Sequence, residues 1–414
     1  MKIIILSDGF PPTGLGGAEV IAFNLADSLS KGGHDVSVIT TTRDKKDVGQ
    51  AILGDITVYK IYSNYHDRWR AYRCLYNMKT VRELDKILSR LNPDVVHAHN
   101  VHAHLSYASL KVARKYSRAV FLTMHDAMSV HYGKLGAVVE SGKLVSDSIN
   151  PFRQLMQYRF RYNPLRNILI KHYLKSVDKI FAVNTALREV LAKGGIRDIE
   201  VLHNGIDVSD WDINNETLNR FKEKYDLNNK KVLFFGGRLS SAKGGLIAID
   251  VLSRVSLKIE DIVMLVVGIK NKSVDEMIKR VESMGIKNKI VFTGWIDHAE
   301  IRYAYASSTA VLVLSQYIDP FPTVNLEAMA SKKPVIGTIF GGTPEAVLHQ
   351  KTGLIVNPRN VEEIASGIID LLQNEEKIKT FGLAGYNRVL NLFNQKDWMA
   401  KTVSWYTAIL QKNK

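Results

Sequence analysis

The chain has 414 residues, 46% hydrophobic and 23% charged, an ordinary globular composition with room for two or three domains. No apolar run approaches the ~20 residues that a membrane-spanning helix needs, and the single cysteine, Cys74, rules out an intrachain disulfide and fits a reducing compartment. The net charge is +15, and residues 1–200 carry 29 Lys and Arg against 18 Asp and Glu, so the excess sits in the first half and points to an anionic partner.

In chain order, the N-terminus MKIIILSDGF is basic and then apolar, but Asp8 and two prolines end the run after Leu6. It reads as a buried first strand rather than a signal peptide, and secretion is not expected. Further apolar runs follow at 36–40, 95–98, 120–124 and 180–183, with helical stretches between them. The pattern restarts at 232–236, 262–268, 290–294, 310–314 and 334–338, with helices such as 273–284 and 322–331 between. Short strands that are apolar throughout belong to parallel sheets covered on both faces. The fold class is therefore α/β, with two facing doubly wound domains of five parallel strands each, joined near 203–210. Ligands in such folds lie at the carboxyl ends of the strands, so the interdomain cleft is the expected site. The expected boundaries are 1–205, 206–390 and a terminal helical segment, 391–414. In that segment Trp398, Val403, Trp405, Tyr406 and Ile409 form an apolar stripe expected to pack on the first domain.

Several glycine turns sit where strands give way to helices. Residues 7–19, SDGFPPTGLGGAE, place Gly14, Gly16 and Gly17 after the first strand. They do not form the dinucleotide pattern G-x-G-x-x-G, and no acidic residue closes the second strand. HAHNVHAH (97–104) carries four histidines, but no Cys- or His-rich partner motif accompanies them, so a metal site is not expected. MHDAM (124–128) puts His125 and Asp126 at a strand end, where a histidine can donate to a substrate oxygen. FFGGRLSSAKGG (234–245) ends a strand in Gly236 and Gly237 and then supplies Arg238 and Lys243 before a helix. Two cations there can hold a diphosphate through charge-assisted hydrogen bonds worth roughly 1.5–3 kcal/mol each, and they stabilise charge on a departing phosphate. DPFPTVNLEAM (319–329) sets Asp319 eight positions before Glu327, with Pro320 and Pro322 fixing a loop and a helix starting near Thr323. Free N–H groups at a helix start attract anions, and the two flanking carboxylates can accept bonds from ribose and sugar hydroxyls. GTIFGGTPEAV (337–347) is a further glycine turn into a helix.

The set of GGAE near the N-terminus, HD at a strand end, HNGID at 203–207, GGRL-x3-KG, the acid-x7-acid segment and GGTPEAV resembles the retaining glycosyltransferases of the GT-B fold, family four. The resemblance covers nearly the whole chain in the right order. It implies two Rossmann-like domains, a nucleotide-diphosphate sugar donor held mainly by the second, and transfer with retention and without a metal or other cofactor. By match it implies that Glu327 binds the ribose hydroxyls, Asp319 faces the donor sugar, and Arg238 and Lys243 hold the diphosphate. The backbone of Gly16 and Gly17 would approach phosphate and sugar. His125 would lie beside the reacting centre, and Gly237, Phe321, Pro322, Thr323 and Val324 would complete the donor site. The implied catalytic set is His125, Arg238, Lys243 and Asp319. Two departures bear on the sugar: the family's first acid is usually Glu where this chain has Asp319, and its usual F-G is Phe321-Pro322, which removes one backbone N–H.

Residues 151–175 interleave Arg153, Arg159, Arg161, Arg166, Lys171 and Lys175 with Phe152, Leu155, Met156, Tyr158, Phe160, Leu165, Ile168 and Leu169. This pattern fits an anionic membrane surface, the alternatives being single-stranded nucleic acid or a helix pair buried on the first domain and broken at Pro164. The expectation is a cytoplasmic enzyme, peripheral on the inner face of the membrane, with a glycan or lipid-linked acceptor and no nucleic acid. Rival readings are a GT-B-fold epimerase or phosphorylase and a non-catalytic sugar-nucleotide-binding membrane scaffold.

Overall fold

The computed structural model of the protein describes residues 1–12, 16–133, 137–140, 143–146, 149–237 and 239–413. It divides into two compact units. The first comprises Met1–Leu135, Ser146–Asn204 and Gln395–Lys414, and the second Gly136–Val145 and Gly205–Asn394. In chain order the strands are β1 (Lys2–Ser7), β2 (Asp35–Thr42), β3 (Gly49–Leu53), β4 (Ile56–Tyr62), β5 (Val95–His99) and β6 (Ala119–Met124), then β7 (Ala137–Glu140) and β8 (Lys143–Ser146), then β9 (Lys179–Ala182) and β10 (Ile199–Val201). The remaining strands are β11 (Lys231–Gly236), β12 (Ile262–Val267), β13 (Ile290–Gly294), β14 (Ala310–Val313), β15 (Val335–Thr338) and β16 (Gly353–Val356).

The first unit holds an eight-stranded sheet in the order β10-β9-β6-β5-β1-β2-β4-β3. Every pairing is parallel except β3 with β4. Its central strands are buried on both faces: Ile3 to Leu6 and Val95 to Ala98 are all buried, with His97 and His99 the buried polar members of β5. The second unit holds six parallel strands in the order β13-β12-β11-β14-β15-β16. The chain winds outward from β1 one way and from β5 the other, and likewise from β11 and β14. These pairs are the topological switch points, and the loops at their carboxyl ends are the natural ligand-binding positions.

Both sheets exceed the expected five strands. The additional members lie at or near the edges, where strands are short or half-exposed: β4 alternates buried and half-buried residues along ITVYKIY, β10 has three residues, and β16 opens on glycine. A criterion of unbroken apolar runs passes over such strands.

The helix Gln395–Lys412 belongs to the first unit, and its apolar stripe faces the core there. Trp398, Tyr406 and Leu410 are buried, with Val403, Trp405 and Ile409 partly so. The Tyr406 hydroxyl lies 2.6 Å from His97 Nδ1 on β5, and Gln395 Nε2 donates to Ser28 Oγ at 2.6 Å. In the second unit the Ile206 N–H donates to the Phe393 carbonyl at 2.8 Å, tying the start of that unit to its end.

Candidate functional site

In the second unit, three loops meet beyond the carboxyl ends of β11, β14 and β15. The loop after β11 opens with Gly237 at φ +103, and a Cβ there would sit 3.8 Å from Val324. Arg238 lies outside the described residues. The turn Ser241–Lys243 then leads into Gly244 at φ +84. A Cβ on Gly244 would come within 2.2 Å of the Leu314 carbonyl oxygen, so only glycine lets this turn press on the end of β14. The loop after β14 clasps the same turn: Gln316 N–H donates to Ala242 O at 2.8 Å, and Gln316 Nε2 to Ser241 O at 3.0 Å.

Lys243 and Asp319, expected to hold diphosphate and sugar, are ion-paired with each other through Nζ and Oδ2. Ser315 Oγ donates to the same Asp319 oxygen at 2.8 Å, and the Lys243 ammonium lies 5.7 Å from the Tyr317 ring centre. Asp319 is buried, and its carbonyl accepts from Gly342 N–H at 2.9 Å. Gly341, at φ +68, lets the loop after β15 approach: a Cβ there would meet the Asp319 carbonyl oxygen at 1.9 Å.

The helix Thr323–Ala330 starts from Pro322, which supplies no side-chain cap. Capping divides the helices of this unit. Asn214, Asn271, Asp297, Asn360 and Asn374 cap Asn215–Lys224, Lys272–Ser283, His298–Ser307, Val361–Leu372 and Glu375–Leu392. Among the described residues the three helices without a side-chain cap are Gly245–Val255, Thr323–Ala330 and Thr343–Ala346, which follow the glycine and proline motifs. An uncapped N-terminus leaves N–H groups for an anion. Phe321 is buried, with its ring 5.7 Å from Phe393, and Pro322 is buried too. Phe321 therefore works as an anchor, and Thr323 and Val324 begin the half-buried first turn of the helix.

Glu327 is the fifth residue of this helix and opens its second turn, and its Oε2 accepts from the Tyr305 hydroxyl at 2.5 Å. Tyr305 is fully buried, stacked on Phe234 at 4.3 Å and edge-on to Trp211 at 5.2 Å. Burial, with Glu327 beside it, pushes the phenol well above its ordinary range, so it stays a donor. Tyr305 and Ser315 carry no sequence signature, since an isolated Tyr in a helix and a Ser after a strand are common.

In the first unit, Gly16 has extended backbone and precedes the helix Gly17–Lys31, which has no side-chain cap. A Cβ on Gly17 would meet nothing within 4 Å. Beyond β1, Asp8 accepts from the Ala103 and Leu105 N–H groups at 2.8 and 2.6 Å, and burial raises its carboxyl pKa in spite of them. Arg70 Nη2 donates to His102 Nδ1 at 2.9 Å, and His102 Nε2 donates to Asp126 Oδ2 at 2.8 Å. Asn100 Nδ2 and the Met128 N–H also donate to Asp126, at 3.2 and 2.8 Å. Burial opposes ionisation of Asp126, but His102, the Met128 N–H and Arg70 together outweigh it and hold the carboxyl at about 2.

This network carries His125, whose N–H donates to Asn100 Oδ1 at 2.9 Å. The His125 ring stacks on His99 at 5.2 Å, with Nε2 3.0 Å from His99 Nδ1. Burial pushes His125 down to about 4 and His99 well below the usual range, so both are neutral at pH 7. His99 Nε2 is buried and has no hydrogen-bond partner among the described residues. An orphaned N–H costs more than an orphaned lone pair, which favours His99 donating from Nδ1 and His125 presenting Nδ1–H. His97 sits between Tyr406 and Thr123 Oγ1, the latter at 2.8 Å. Among the described residues no three His, Cys, Asp or Glu side chains gather to hold a metal ion.

On 151–175 the structure separates two groups. Phe152, Met156, Leu165 and Ile168 are exposed, as are Arg153, Arg159, Arg161, Lys171 and Lys175. Arg166, grouped with these cations by sequence, is instead fully buried, its guanidinium donating to the Met128 carbonyl and lying 5.7 Å from the Tyr132 ring centre. Gln154, Tyr162, Ile170 and Leu174 are buried with it. No helix among the described residues is long and apolar enough to cross a membrane.

The family described as "Glycosyl transferases group 1" matches residues 218–388, and "Glycosyltransferase Family 4" matches residues 15–210. The chain is 28% identical over 383 residues to an uncharacterised glycosyltransferase of Methanocaldococcus jannaschii, covering 90% of each. It is 23% identical to the N-acetyl-alpha-D-glucosaminyl L-malate synthase of Bacillus anthracis, over 97% of this chain and 96% of that one. Among solved structures, a sucrose-phosphate synthase from Thermosynechococcus elongatus superposes with a TM-score of 0.79 at 19% identity, covering 100% of both chains. Anabaena HepE in complex with UDP and glucose superposes with a TM-score of 0.74 at 18% identity, over 99% of this chain and 100% of that one.

Proposed function

Because the chain belongs to the group 1 glycosyltransferases of the GT-B fold, we propose that it is a retaining, metal-independent enzyme moving a sugar from a nucleoside-diphosphate donor to an acceptor hydroxyl. The observation that carries this reading is the second unit's switch point, where adjoining loops bring together Lys243, two uncapped helix starts and, one turn into the second of those helices, Glu327. Glu327 accepts from the ribose hydroxyls, oriented by Tyr305. Lys243 and Arg238 hold the diphosphate with the N–H groups of Thr323 and Val324, and Gly237 leaves room beside them. In the first unit, taken by itself, the Gly16–Gly17 backbone and the neutral His125 ring are the groups suited to meet phosphate and sugar oxygens.

In the transfer step the bond between the anomeric carbon and the diphosphate oxygen breaks, and the acceptor oxygen bonds to the same face of that carbon. The acceptor proton passes to the departing diphosphate, whose charge the two cations stabilise. Fixed cations and helix dipoles supply what a metal would otherwise contribute. That HepE was crystallised with UDP and glucose supports a sugar-nucleotide donor here.

The acceptor is a glycan or a lipid-linked molecule, presented at an anionic membrane surface. The exposed apolar residues Phe152, Met156, Leu165 and Ile168, flanked by five exposed cations, support that attachment. Flotation with anionic liposomes at low salt tests it, and failure to float removes it.

The donor is identified by incubating the protein with UDP-, GDP- and ADP-sugars in the presence of EDTA and measuring released nucleoside diphosphate. One donor is expected to be hydrolysed slowly, and faster with an acceptor. If none is bound or hydrolysed, the reading is wrong.

A further inference from the structure

We infer that Asp319 is a positioning residue for Lys243 rather than a ligand of the donor sugar; this rests on the donor-site reading above. The family resemblance assigns the first acid of the motif to the sugar, but in this chain one oxygen of its carboxylate is already doubly engaged and the residue is buried. Oδ2 takes both the Lys243 ammonium and the Ser315 hydroxyl. The backbone of Asp319 cannot swing away. Its carbonyl is held by the Gly342 N–H, and Gly341 packs so closely on it that a Cβ would fall 1.9 Å away.

Lys243 is fixed from the other side. Gly244 brings its turn onto the end of β14, and Gln316 bonds that turn through both main chain and side chain. The two loops thus form one clamp, with the Lys243–Asp319 pair at its centre. A lysine side chain is long and mobile, and ordering it carries an entropic cost. The pair meets that cost before donor arrives, while an ammonium has three N–H donors and can keep Asp319 on one and reach phosphate with the others. Aspartate, one methylene shorter than the family's usual glutamate, suits a carboxylate retained by its own loop.

The test is a double-substitution cycle on nucleoside diphosphate, which lacks the sugar. Binding of UDP, GDP and ADP is measured by titration calorimetry for the wild type, Asp319→Asn, Lys243→Met and the double variant. Contacting groups couple by amounts that run from about twofold to more than a hundredfold in affinity, and a charged pair with one buried partner belongs above the lower end. Asp319→Asn is therefore expected to shift the diphosphate Kd by about fivefold or more in the wild type and by less than about twofold once Lys243 is gone. An unchanged diphosphate Kd with a weakened sugar-nucleotide Kd would make Asp319 a sugar ligand and overturn the inference, as would equal shifts in both backgrounds. If Lys243→Met alone leaves diphosphate binding untouched, the donor-site reading itself fails. Ser315→Ala removes only the second bond to Asp319 and repeats the test with less disturbance of the fold; its effect on diphosphate binding must also vanish without Lys243.

Discussion

Tyr305 and Glu327 show how one buried contact can orient a carboxylate, here the one proposed to meet the ribose. A carboxylate has two accepting oxygens, and the Tyr305 hydroxyl holds one of them at 2.5 Å from a site walled by Phe234 and Trp211. Tyr305→Phe keeps the packing and removes that hydrogen bond, which to a charged group is worth about 1.5–3 kcal/mol. Glu327 then loses its orientation, and binding of nucleoside diphosphate and of sugar nucleotide should weaken together, by roughly tenfold or more in a titration. If only the sugar nucleotide is affected, Glu327 does not contact the ribose. Lys243→Ala should abolish turnover far more than it lowers the melting temperature, because the lysine is partly exposed and its partner keeps the Ser315 bond. An equal loss of both would make the lysine structural. Lys243, Glu327 and the helix start between the two acids are legible in the sequence because a cation, an acid pair and a proline-framed helix start each follow an apolar strand run. Their grip on one another is not, since the Lys243–Asp319 pair closes a separation of 76 residues that only the folded sheet brings together.

At the scale of the element, the apolar runs identified the central strands of both sheets because those strands are buried on both faces. The edge strands escaped notice, since half-exposed strands share their alternation with loops. The helix Gln395–Lys412 was legible through the same physics, as an aromatic stripe that needs a partner. Its docking is not purely apolar: the Tyr406 hydroxyl meets buried His97. Tyr406→Phe therefore leaves a buried histidine nitrogen short of a partner, and chemical denaturation should show a loss of about 1–3 kcal/mol. Wild-type stability would mean that water replaces the hydroxyl. Arg166 is the counter-example, a cation whose spacing suggested a surface stripe and whose actual place is inside, against the Met128 carbonyl. Residue type alone could not separate it from Arg161 or Lys171.

Across the whole molecule, acid stability follows from the histidines of the first unit. Burial pushes His97 to about 3, His104 to about 4 and His125 to about 4, each from an ordinary 6.5, and His99 well below that value. A folded-state pKa below the unfolded one means that the unfolded chain binds more protons between the two. These groups therefore contribute their full stability above about pH 6.5 and lose it as pH falls toward about 4. The four depressed histidines act in the same direction, and Asp8, whose carboxyl is raised by burial, opposes them as it takes a proton. Urea midpoints measured from pH 8 to pH 4.5 should be flat above about 6.5 and fall steeply below it. A flat profile throughout would mean that these rings are solvated.

The central claim is that the second unit binds a nucleoside diphosphate through Lys243 and Glu327. Titration calorimetry with the diphosphate of the preferred donor tests it most directly, on the wild type, Lys243→Ala and Glu327→Ala. The account predicts saturable binding to the wild type and at least about tenfold weaker binding to each variant, with both variants still folded at the temperature of the titration. Equal affinity for all three proteins would contradict it.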